Sequence, residues 1–586
     1  MKRSGHDPSR RRLLVRATQG ATAAALATTG VVRGAPASTR TWDRETDIVC
    51  VGSGAAALTA AVVAASTGNR VLVLEKAPIT GGTTRKSGGV FWIPNHYALR
   101  EQGIEDRKED CLKYLCRMSY SERYHPNSPT LGLDADAYAL LEAFYDNGSK
   151  AVDLMRRLGA LRITPFNMWQ LKRPAPDYQD HLPENKLPTG RALGVLKADG
   201  SDGGGPDYIE QLEANLAARG AEILTDHRVM RLILNGRDEV AGVEVQTEQG
   251  IVNVRSRKAV IFGSGGYVHN LDYVRLYQRT FLYGACAPAT ATGDFITIAG
   301  EVGARLGNMG GAWRSQAVIE ECITNRALAR CADMPPGDSM FMVNKHGVRV
   351  VNEKRDYNDR GQIHLTYDPN NAEFSNQLLF IIYDQRTAEL YAGSPPLPST
   401  PTGAAYVIQG ATLDELAKNI GARMERIRPH IGTVRLAPDF AVNLQRTCKR
   451  FNDHAKQGED PDFRRGATEY DRAWALFFQP PRSDTRWPIS SGMPNPALCP
   501  LQSTGPYYAL IVGAGSLDTC GGPVIDARAR VLNTHGKPLA GLYGAGNCIA
   551  NPSREAYFGP GGTIGPAMAF GYIAAMNAAK EPIKDA

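Results

Sequence analysis

A glycine-rich loop near the N-terminus constrains the fold of this chain more than any other feature of its sequence. The loop reads Gly52-Ser53-Gly54-Ala55-Ala56-Ala57. The segment 47–51 (DIVCV) before it predicts a strand, the stretch 55–66 predicts a helix, and 70–74 predicts a second strand. A strand, a tight glycine turn and a helix within about 30 residues are typical of a dinucleotide-binding βαβ unit. The simpler alternative is a tight turn in a sheet that binds no ligand.

The residues of this loop have the chemical properties that such a unit requires. Gly52 permits the tight turn, Gly54 lets a phosphate approach the backbone, and Ala57 is small enough for the helix to pack on the strand. The N–H groups and partial positive charge of the helix N-terminus attract a pyrophosphate. Glu75 follows the second predicted strand, where an acid can bind both ribose hydroxyls. We therefore predict that this segment binds a dinucleotide.

Two further glycine-rich regions indicate FAD rather than NAD. Segment 81–89 (GGTTRKSGG) carries two glycine pairs and three hydroxyls, which suit a backbone close to a flavin and its diphosphate. Far downstream, 541–547 reads as a strand that enters a tight turn, and 561–566 opens the last predicted helix. The N-terminus of that helix can stabilise negative charge on a reduced flavin. The FAD site is thus predicted to be closed by residues from the C-terminus.

The net charge of +7 is concentrated at the N-terminus. Residues 1–37 contain seven Lys or Arg side chains and one Asp, which leaves the rest near +1 and argues against nucleic-acid binding. Ser9-Arg10-Arg11-Arg12-Leu13-Leu14, a weakly apolar stretch over 17–32 and Ala35-Pro36-Ala37 match a twin-arginine signal peptide with its cleavage site. We predict export to the periplasm or another extracytoplasmic compartment. The alternative is a disordered basic N-terminus.

The ten cysteines show no metal or haem pattern. None forms a CxxC pair or the CxxCH sequence of covalent haem, so we predict no metal site and no thioredoxin-like redox pair. Most of the cysteines are expected to be small buried residues. Export would permit disulfides, but the spacing specifies none.

The remaining pattern predicts an α/β chain in which one domain interrupts another. Apolar residues recur at helical spacing over 140–158, 222–261 reads as short strands, and a last helix is expected over about 563–579. Between them, prolines cluster and helical segments such as 412–420 alternate with loops. We predict a Rossmann-like FAD-binding domain split around an inserted α+β substrate, or capping, domain. The expected boundaries are a signal peptide over 1–37, FAD-binding segments over 38–284 and 486–586, and a substrate domain over 285–485.

Several motifs resemble those of 3-ketosteroid Δ1-dehydrogenases, which belong to the fumarate reductase and succinate dehydrogenase superfamily of FAD flavoproteins. The resemblance covers about residues 45–580. The matching segments are 85–95 (RKSGGVFWIPN), Phe451-Asn452, 458–463 (GEDPDF), Arg465-Gly466, Tyr470-Asp471-Arg472, 520–526 (CGGPVID) and 556–561 (AYFGPG). The sequence departs from the family pattern at Cys520, where the family has a lysine, and at Phe558, where it has a proline.

The loop chemistry and the resemblance together identify the candidate FAD-binding residues. The glycine-rich segments provide Gly52, Ser53, Gly54, Ala56, Ala57, Glu75, Lys76, Gly82, Thr83, Thr84, Ser87, Gly88, Gly89, Gly546, Asn547, Gly562, Thr563 and Ile564. The resemblance adds Val229, Gly265 and Asp294.

The resemblance also implies a reaction and four catalytic residues. The reaction is 1,2-desaturation of a 3-ketosteroid, a sterol-derived 3-oxo-4-ene, with flavin N5 as the hydride acceptor. The Tyr557 hydroxyl and the Gly561 N–H would bind the carbonyl oxygen, since they lie four residues apart around a turn. Tyr357, in an Asn-Glu-x-x-x-Tyr segment, would remove the C2 proton, and Tyr178, in a Pro-Asp-Tyr segment, would assist it.

Other functions stay open at the level of the sequence. One is an exported, fumarate-reductase-like ene-reductase, although no histidine precedes Gly521-Gly522 and no haem-attachment sequence is present. Others are a 3-ketosteroid Δ4-(5α)-dehydrogenase, a dehydrogenase of another cyclic ketone, and a flavin carrier without catalytic activity. The expected partners are an apolar ketosteroid and a quinone or soluble redox carrier as electron acceptor. Peripheral contact with a membrane stays open.

Overall fold

The computed structural model describes residues 41–168, 171–331, 334–477, 487 and 493–585. The chain divides into two units at Trp42, and the helices and strands of the described residues belong to the unit Asp43–Ala586. The predicted signal peptide over 1–37 lies outside the described residues. Among the described helices, none combines the length and the apolar character needed to span a bilayer.

The described residues form mixed helical and strand structure. The strands are β1 (Arg44–Val51), β2 (Val71–Leu74), β3 (Phe91–Trp92), β4 (Ile163–Pro165), β5 (Ala192–Val195), β6 (Glu222–Leu224), β7 (Arg228–Leu234), β8 (Val240–Thr247), β9 (Gly250–Phe262), β10 (Gly284–Ala285), β11 (Leu306–Gly307), β12 (Ala312–Val318), β13 (Met340–Val343), β14 (Leu378–Asp384), β15 (Ile408–Gly410), β16 (Tyr507–Thr519), β17 (Gly522–Pro523), β18 (Arg530–Leu532) and β19 (Pro538–Gly544).

The helices lie between these strands and after the last of them. They are α1 (Ala55–Ser66), α2 (Gly82–Arg85), α3 (Tyr97–Glu101), α4 (Lys108–Ser119), α5 (Ala135–Arg157), α6 (Gly205–Ala218), α7 (Leu271–Tyr277), α8 (Asp294–Glu301), α9 (Ile319–Thr324), α10 (Tyr357–Gly361), α11 (Gln385–Leu390), α12 (Leu413–Arg426), α13 (Arg428–Ile431), α14 (Phe440–Gln457), α15 (Glu469–Phe477) and α16 (Ile564–Ala578). Two short 3₁₀ segments are Gln362–Leu365 and Gly546–Cys548.

The first sheet joins the two ends of the folded unit. Its strand order is β18-β19-β9-β1-β2-β6, and β8 and β7 extend it from β9. Strand β1 pairs in parallel with β2 and β9, and β19 pairs in parallel with β9. A strand from residues 538–544 therefore completes the sheet that begins at residue 44. This topology confirms the predicted α/β fold with a split, Rossmann-like FAD-binding domain.

Helices α1 and α16 pack against this sheet and against each other. Both are apolar around most of their circumference and largely buried, which is typical of helices enclosed by other elements. At Gly571 in α16, a Cβ would lie 2.5 Å from the carbonyl oxygen of Ala56 in α1. The crossing of the two helices therefore depends on a glycine, and it holds the start of α1 close to the C-terminal segment.

A second sheet forms the core of the inserted domain. Its strand order is β10-β16-β14-β13, and β12 and β15 also pair with β16. Leu416 of α12 and Leu444 of α14 pack with Phe380 and Ile511 of this sheet in one buried cluster. The sheet supports the segment between β13 and β14, which carries the predicted base.

Sheet membership differs from the expected domain boundaries at both ends. Strand β16 lies at the centre of the second sheet, although the sequence placed residues after 486 in the FAD-binding domain. Helix α8 lies after the expected boundary at 285, yet Phe295 stacks on Phe262 at the end of β9, with ring centroids 4.0 Å apart. Buried strands and helices of both domains have the same apolar composition, so composition alone did not separate them.

Candidate active site

The loop between β1 and α1 lies on the wall of a large cavity. Gly52 has a φ of +98°, and a Cβ there would lie 2.6 Å from the carbonyl oxygen of Gly263, so the turn requires glycine. Helix α1 begins at Ala55, whose N–H donates to Thr84 Oγ1 (3.1 Å). A Cβ at Gly54 would have Thr84 Oγ1 as its nearest neighbour, at 3.5 Å. The start of α1 thus offers a backbone surface that a phosphate can approach.

The acid at the end of β2 is fixed by the same loop. Ser53 Oγ donates to one carboxylate oxygen of Glu75 (2.6 Å), and the Ala77 N–H donates to the other (2.8 Å). The Gly81 N–H donates in turn to Ser53 Oγ (2.8 Å), which holds the start of segment 81–89 against the loop. Glu75 is buried and lines the cavity, where its carboxylate can accept hydrogen bonds from ribose hydroxyls.

Asp294 forms ion pairs with Lys76 and Arg228 on this wall of the cavity. Lys76 Nζ lies 3.1 Å from an Asp294 carboxylate oxygen, and Arg228 Nε donates to the same oxygen (2.9 Å). Burial opposes ionisation of Asp294, but the charge of Lys76 and the hydrogen bond from Arg228 prevail and lower the pKa of its carboxyl. The predicted cofactor residue Asp294 therefore lines the cavity as part of an ion pair.

The C-terminal return places Asn547 beside the inserted domain. Trp313 Nε1 donates to Asn547 Oδ1 (2.9 Å), and Asn547 Nδ2 donates to Asp518 Oδ2 (3.3 Å). The Gly266 N–H also donates to Asp518 Oδ2 (2.9 Å). Burial raises the pKa of Asp518 to about 6, against the lowering effect of these hydrogen bonds. This network links β12, β16 and the turn after β19 at one edge of the cavity.

The cavity has a volume of about 640 Å³, which lies within the range of about 300 to 1,000 Å³ that is typical of ligand sites. It is lined on one side by the glycine loop, Glu75 and the start of α16. A Cβ at Gly82 would meet no atom of the described residues within 4 Å, so this second glycine segment also leaves open space. The donors and glycine surfaces on this wall fit the pyrophosphate and ribose of FAD.

The opposite end of the cavity is aromatic and contains the three predicted catalytic tyrosines. The Tyr178 ring stacks on that of Tyr557 with centroids 5.1 Å apart, and the Tyr357 ring lies edge-on to Tyr557 at 5.3 Å. The Tyr178 hydroxyl donates to the Tyr357 hydroxyl (3.0 Å). Trp313 packs edge-on against Tyr557 at 5.5 Å. Residues 179 positions apart are thus brought into hydrogen-bond contact on one wall.

Tyr357 and Tyr178 are held by different buried groups. Asp356 caps helix α10 through a hydrogen bond from the Asp359 N–H (2.9 Å), and this cap positions Tyr357 as the first helical residue. Tyr178 follows Asp177, whose carboxylate accepts from Trp92 Nε1 (2.7 Å) and is paired with Arg191 Nη1 (2.7 Å). Neither tyrosine therefore depends on a solvent-exposed loop for its position.

The C-terminal motif is anchored by the residue that departs from the family pattern. The Phe558 carbonyl oxygen accepts from the Tyr178 N–H (3.1 Å) and from the Tyr114 hydroxyl (2.7 Å). Its ring is buried and lies 5.3 Å from that of Trp92. Phe558 thus connects the segments that carry Tyr178 and Tyr557, and its side chain fills an aromatic core that a proline would leave partly empty.

Gly561 lies where no side chain fits. Its φ is +87°, and a Cβ would lie 2.3 Å from Phe91 Cα. The Trp92 N–H donates to the Gly561 carbonyl oxygen (3.1 Å), so the glycine packs directly on β3. Gly561 lines the cavity together with Tyr557.

A polar site borders the tyrosines. Tyr470 packs edge-on against Tyr178 at 5.3 Å. Its buried hydroxyl has no hydrogen-bond partner among the described residues, and the same is true of Asp356 Oδ2. Burial and the neighbouring Asp359 raise the pKa of Asp356 well above its usual value. Burial likewise raises the pKa of Tyr178 well above 10, and Tyr557 and Tyr470 add to that effect. Tyr178 therefore stays protonated as a hydrogen-bond donor to Tyr357.

The acid of the Asn-Glu-x-x-x-Tyr segment, Glu353, forms buried ion pairs. Glu353 is fully buried and pairs with Arg349 (2.9 Å) and Arg465 (3.1 Å). Burial opposes its ionisation, yet the two arginines outweigh burial and lower the pKa of Glu353 to about 2. This network connects the start of the segment that carries Tyr357 to the matching block around Arg465.

Most of the predicted cofactor residues lie on the cavity wall. They are Gly52, Ser53, Gly54, Ala56, Glu75, Lys76, Gly82, Thr83, Thr84, Ser87, Gly88, Val229, Gly265, Asp294, Gly546, Asn547, Thr563 and Ile564. The other three pack behind the wall. A Cβ at Gly89 would lie 2.6 Å from the Gly204 backbone, one at Gly562 would lie 2.8 Å from the Tyr557 ring, and Ala57 is fully buried against Gly263.

Sequence reasoning missed several side chains of the wall. They are Phe166, Trp313, Met334, Trp474, Phe477, Leu517 and Asp518. Apart from Asp518, which stands just before the family's lysine position, these residues belong to no motif that the sequence displays. Their place on the wall results from the packing of the inserted domain on the FAD-binding domain.

Comparisons with known proteins agree with this geometry. Residues 47–564 match the family described as FAD binding domain. The chain is 32% identical to a 4-oxocyclohexanecarboxylate 2-dehydrogenase of Sinomonas cyclohexanicum, across 90% of this chain and 92% of that protein. It is 30% identical to a 3-oxosteroid 1-dehydrogenase of Mycolicibacterium smegmatis, across 92% and 97%.

A solved structure supports the same relationship. The 3-ketosteroid Δ1-dehydrogenase of Sterolibacterium denitrificans, in complex with 1,4-androstadiene-3,17-dione, superposes with a TM-score of 0.76 at 25% identity. The match covers 92% of this chain and 99% of that one. Because the family match extends from β1 to the start of α16, the chain belongs to the FAD binding domain family, and it is an FAD-dependent oxidoreductase that resembles 3-ketosteroid Δ1-dehydrogenases.

Proposed function

We propose that the protein desaturates a cyclic ketone beside its carbonyl group, and that this ketone is a 3-ketosteroid dehydrogenated between C1 and C2. The observation that carries the proposal is the cluster of Tyr178, Tyr357 and Tyr557 on the wall of the FAD-binding cavity. A flavin carrier without catalytic activity would not need a hydrogen-bonded tyrosine pair at this place. The names of two relatives, a 3-oxosteroid 1-dehydrogenase and a 3-ketosteroid Δ1-dehydrogenase, support the choice of substrate.

The first step assigned to the chain is activation of the ketone. The Tyr557 hydroxyl and the Gly561 N–H bind the carbonyl oxygen, which makes the C2–H bond more acidic. Gly561 is held against β3 and Tyr557 is held between Tyr178 and Trp313, so both donors are fixed before the substrate arrives. Such preorganised donors stabilise the negative charge that develops on the oxygen.

The second step is removal of the C2 proton by Tyr357. A tyrosine has an ordinary pKa of about 10, so its anionic form needs stabilisation near neutral pH. The hydrogen bond from Tyr178 supplies it, because Tyr178 stays protonated and donates across 3.0 Å. Bound FAD supplies the acceptor for the hydride that leaves C1.

The apolar end of the cavity favours a hydrocarbon body on the substrate. Phe166, Trp474, Phe477 and Met334 line it beside the tyrosines. Among the described cations of the wall other than Arg330, Lys76 and Arg228 are paired with Asp294, and Lys86 Nζ donates to the Leu328 carbonyl oxygen (2.7 Å). A steroid ring system would gain more from this wall than a small carboxylate would.

A second candidate is dehydrogenation of a carboxylated cyclohexanone. The relative named 4-oxocyclohexanecarboxylate 2-dehydrogenase favours it, and the same tyrosine chemistry would serve. Arg330 also lines the cavity and is exposed, so it is available to a carboxylate. The two candidates differ in the body of the substrate and not in the reaction.

An anaerobic titration of the holoenzyme tests both candidates. Androst-4-ene-3,17-dione, cholest-4-en-3-one and 4-oxocyclohexanecarboxylate are each added while the visible absorbance of oxidised FAD is recorded. We expect bleaching by at least one steroid, with a product unsaturated between C1 and C2 by NMR. Bleaching by the carboxylate alone would select the second candidate. A separate titration with 5α-androstane-3,17-dione, which is saturated between C4 and C5, tests the remaining alternative, because loss of hydrogen at C4 and C5 of that ketone would indicate a Δ4-(5α)-dehydrogenase.

Failure of all three ketones, together with rapid reoxidation of the reduced enzyme by fumarate, would refute the proposal and support an ene-reductase. Reoxidation is measured after photoreduction, so it does not depend on turnover of a ketone. The same reduced enzyme, mixed with a water-soluble quinone or a small redox protein, tests the proposed electron acceptors.

We further propose that the protein leaves the cytoplasm by the twin-arginine route. The support is the sequence of the first 37 residues. Replacement of Arg10 and Arg11 together by Lys should keep the protein in the cytoplasm, while the control Arg3→Lys should not. Equal fractionation of both variants with the exported protein would contradict the proposal.

A further inference from the structure

Two cysteines meet on the wall of the cavity. Cys286 Sγ lies 2.7 Å from Cys331 Sγ, and both residues line the cavity. Their side chains are 45 positions apart in the sequence, so the contact is created by the fold. The distance is about 0.7 Å beyond a disulfide bond of roughly 2.05 Å, and a small movement of either side chain would close it.

The backbone holds the two thiols side by side. The Ala285 N–H donates to the Arg326 carbonyl oxygen, and the Leu328 N–H donates to the Ala285 carbonyl oxygen, both at 2.9 Å. Segment 326–328 therefore runs in parallel beside β10. The Cys286 N–H donates to the Ser516 carbonyl oxygen of β16 (3.0 Å), and Cys331 Sγ contacts the same oxygen at 3.5 Å. Both cysteines thus share a common anchor on the second sheet.

The two chain segments that contain these cysteines also form parts of the FAD site. Residues after Cys286 include Thr292 and Asp294, which bind Lys76 on the cofactor wall. The Leu328 carbonyl oxygen, just before Cys331, accepts from Lys86 Nζ in segment 81–89. A covalent link between Cys286 and Cys331 would fasten two walls of the cavity to each other.

We propose that Cys286 and Cys331 form a disulfide in the oxidised protein. A small-molecule disulfide such as oxidised glutathione is the oxidant. One cysteine thiolate attacks it, forming a mixed disulfide and releasing one glutathione thiolate. The second cysteine thiolate displaces the other glutathione. Two protein thiols lose two electrons and two protons, and one glutathione disulfide gains them as two thiols.

The proposal is independent of the substrate and fits an exported chain. Disulfides persist in oxidising compartments, to which the predicted twin-arginine leader would deliver the protein. Cys286 lines the cavity and is 9% exposed, so the cavity gives the only partial access to its side chain that the described residues show. The link closes a long loop, which restricts the unfolded chain and stabilises the native one.

The test counts free thiols in the intact holoenzyme. Protein incubated with oxidised glutathione is denatured in the presence of N-ethylmaleimide, which alkylates free thiols. The mass of the product is then measured by mass spectrometry. We expect eight adducts on the ten cysteines, and ten adducts after dithiothreitol treatment. Trypsin should release peptide 280–305 joined to peptide 331–345, each of which contains one cysteine.

Two variants separate this pair from a neighbouring thiol. Cys331→Ser should carry nine adducts in total, counting N-ethylmaleimide and any glutathione that stays on Cys286, because no second thiol is present to close the link. Cys322 lies near Cys286 but takes no part in the proposed disulfide. Cys322→Ser should therefore keep the disulfide and give seven adducts on its nine remaining cysteines. Ten adducts on the oxidised wild type, or a link from 280–305 to peptide 315–326, would overturn the proposed pairing.

A thermal measurement tests the fastening role. Dithiothreitol should lower the unfolding midpoint of the wild-type holoenzyme by a few degrees and leave that of Cys331→Ser unchanged. Equal midpoints of the wild type with and without reductant would show that the link does not fasten the walls.

Discussion

The Tyr178 hydroxyl donates a hydrogen bond to the Tyr357 hydroxyl across 3.0 Å, and both residues lie on the wall of the FAD-binding cavity. The direction of this bond follows from the environment. Tyr178 is buried, its pKa is raised well above 10, and its ring is enclosed by those of Tyr557 and Tyr470. A protonated donor next to Tyr357 stabilises the anionic form of Tyr357, which is the form able to accept a proton.

Replacement of Tyr178 by Phe should therefore slow reduction of the flavin by the ketone. Loss of a hydrogen bond to a charged oxygen costs about 2 to 3 kcal/mol, which corresponds to roughly a hundredfold in rate. The rate is measured by anaerobic stopped-flow absorbance with saturating substrate. The pH at which the rate reaches half of its maximum should also rise, because Tyr357 would ionise less readily.

Tyr383→Phe is the matched control for this variant. Tyr383 is buried in the second sheet and stacks on Tyr508, and neither residue lines the cavity. Its hydroxyl has no hydrogen-bond partner in the part of the chain that the structure describes. Its removal should leave rate and pH profile unchanged. Equal rates for Tyr178→Phe and the control would contradict the role assigned to Tyr178.

Tyr557→Phe should retain FAD and lose most of its activity. The phenylalanine ring keeps the stacking on Tyr178 and the edge contact with Trp313, so the fold of the wall is preserved. Loss of one donor to a developing oxyanion reduces turnover by about 10² to 10³. Steady-state kinetics should show the loss in kcat with little change in bound FAD. Full activity of the variant would contradict the proposal that the Tyr557 hydroxyl binds the carbonyl oxygen.

Gly561→Ala should prevent assembly of the cofactor site. The new Cβ would lie 2.3 Å from Phe91 Cα, and the φ of +87° disfavours any residue other than glycine. We expect low soluble yield and a low ratio of FAD to protein by absorbance. Gly194→Ala in β5 is the control, since a Cβ there would meet no atom within 4 Å in the described part of the chain. Normal FAD content in Gly561→Ala would mean that β3 can move away.

The local part of the site was predictable from the sequence. Helix α1 has the predicted bounds of residues 55–66, because a glycine turn before it and an alanine-rich run specify the helix without distant contacts. Strand β1 begins at Arg44 instead of 47, as charged edge residues extend the pairing with β9. Glycine motifs likewise predicted most of the cofactor wall, since phosphate binding depends on backbone geometry that glycine reveals.

The distant part of the site was not predictable in this way. Trp313 donates a hydrogen bond to Asn547, which lies 234 positions later in the sequence. No periodicity or motif in the sequence connects the two residues. The tyrosines came from a family resemblance, and only the fold shows that Tyr178 and Tyr357 touch. Strand β16 carries an apolar run that suits either sheet, so its place at the centre of the second sheet depended on pairing that the sequence does not encode locally.

Glu353→Gln should destabilise the holoenzyme at neutral pH by about 3 kcal/mol. The amide keeps the shape of the side chain but leaves Arg349 and Arg465 without a charged partner in a buried site. The pKa of Glu353 is lowered to about 2 from an unfolded value of 4.5, so its stabilisation is complete above pH 4.5 and disappears as the pH falls through 2. The difference between wild type and variant should therefore shrink in acid.

Free energies of unfolding from urea titrations at pH 7 and pH 3 measure this difference. The control is Glu425→Gln, which removes a carboxylate that is 53% exposed and pairs with Arg428 and Arg435 at the surface. Such a pair contributes at most about 1 kcal/mol, so the control should show a small effect at pH 7. An equal loss for Glu353→Gln at both pH values would mean that packing around Glu353, and not its charge, holds the segment that carries Tyr357.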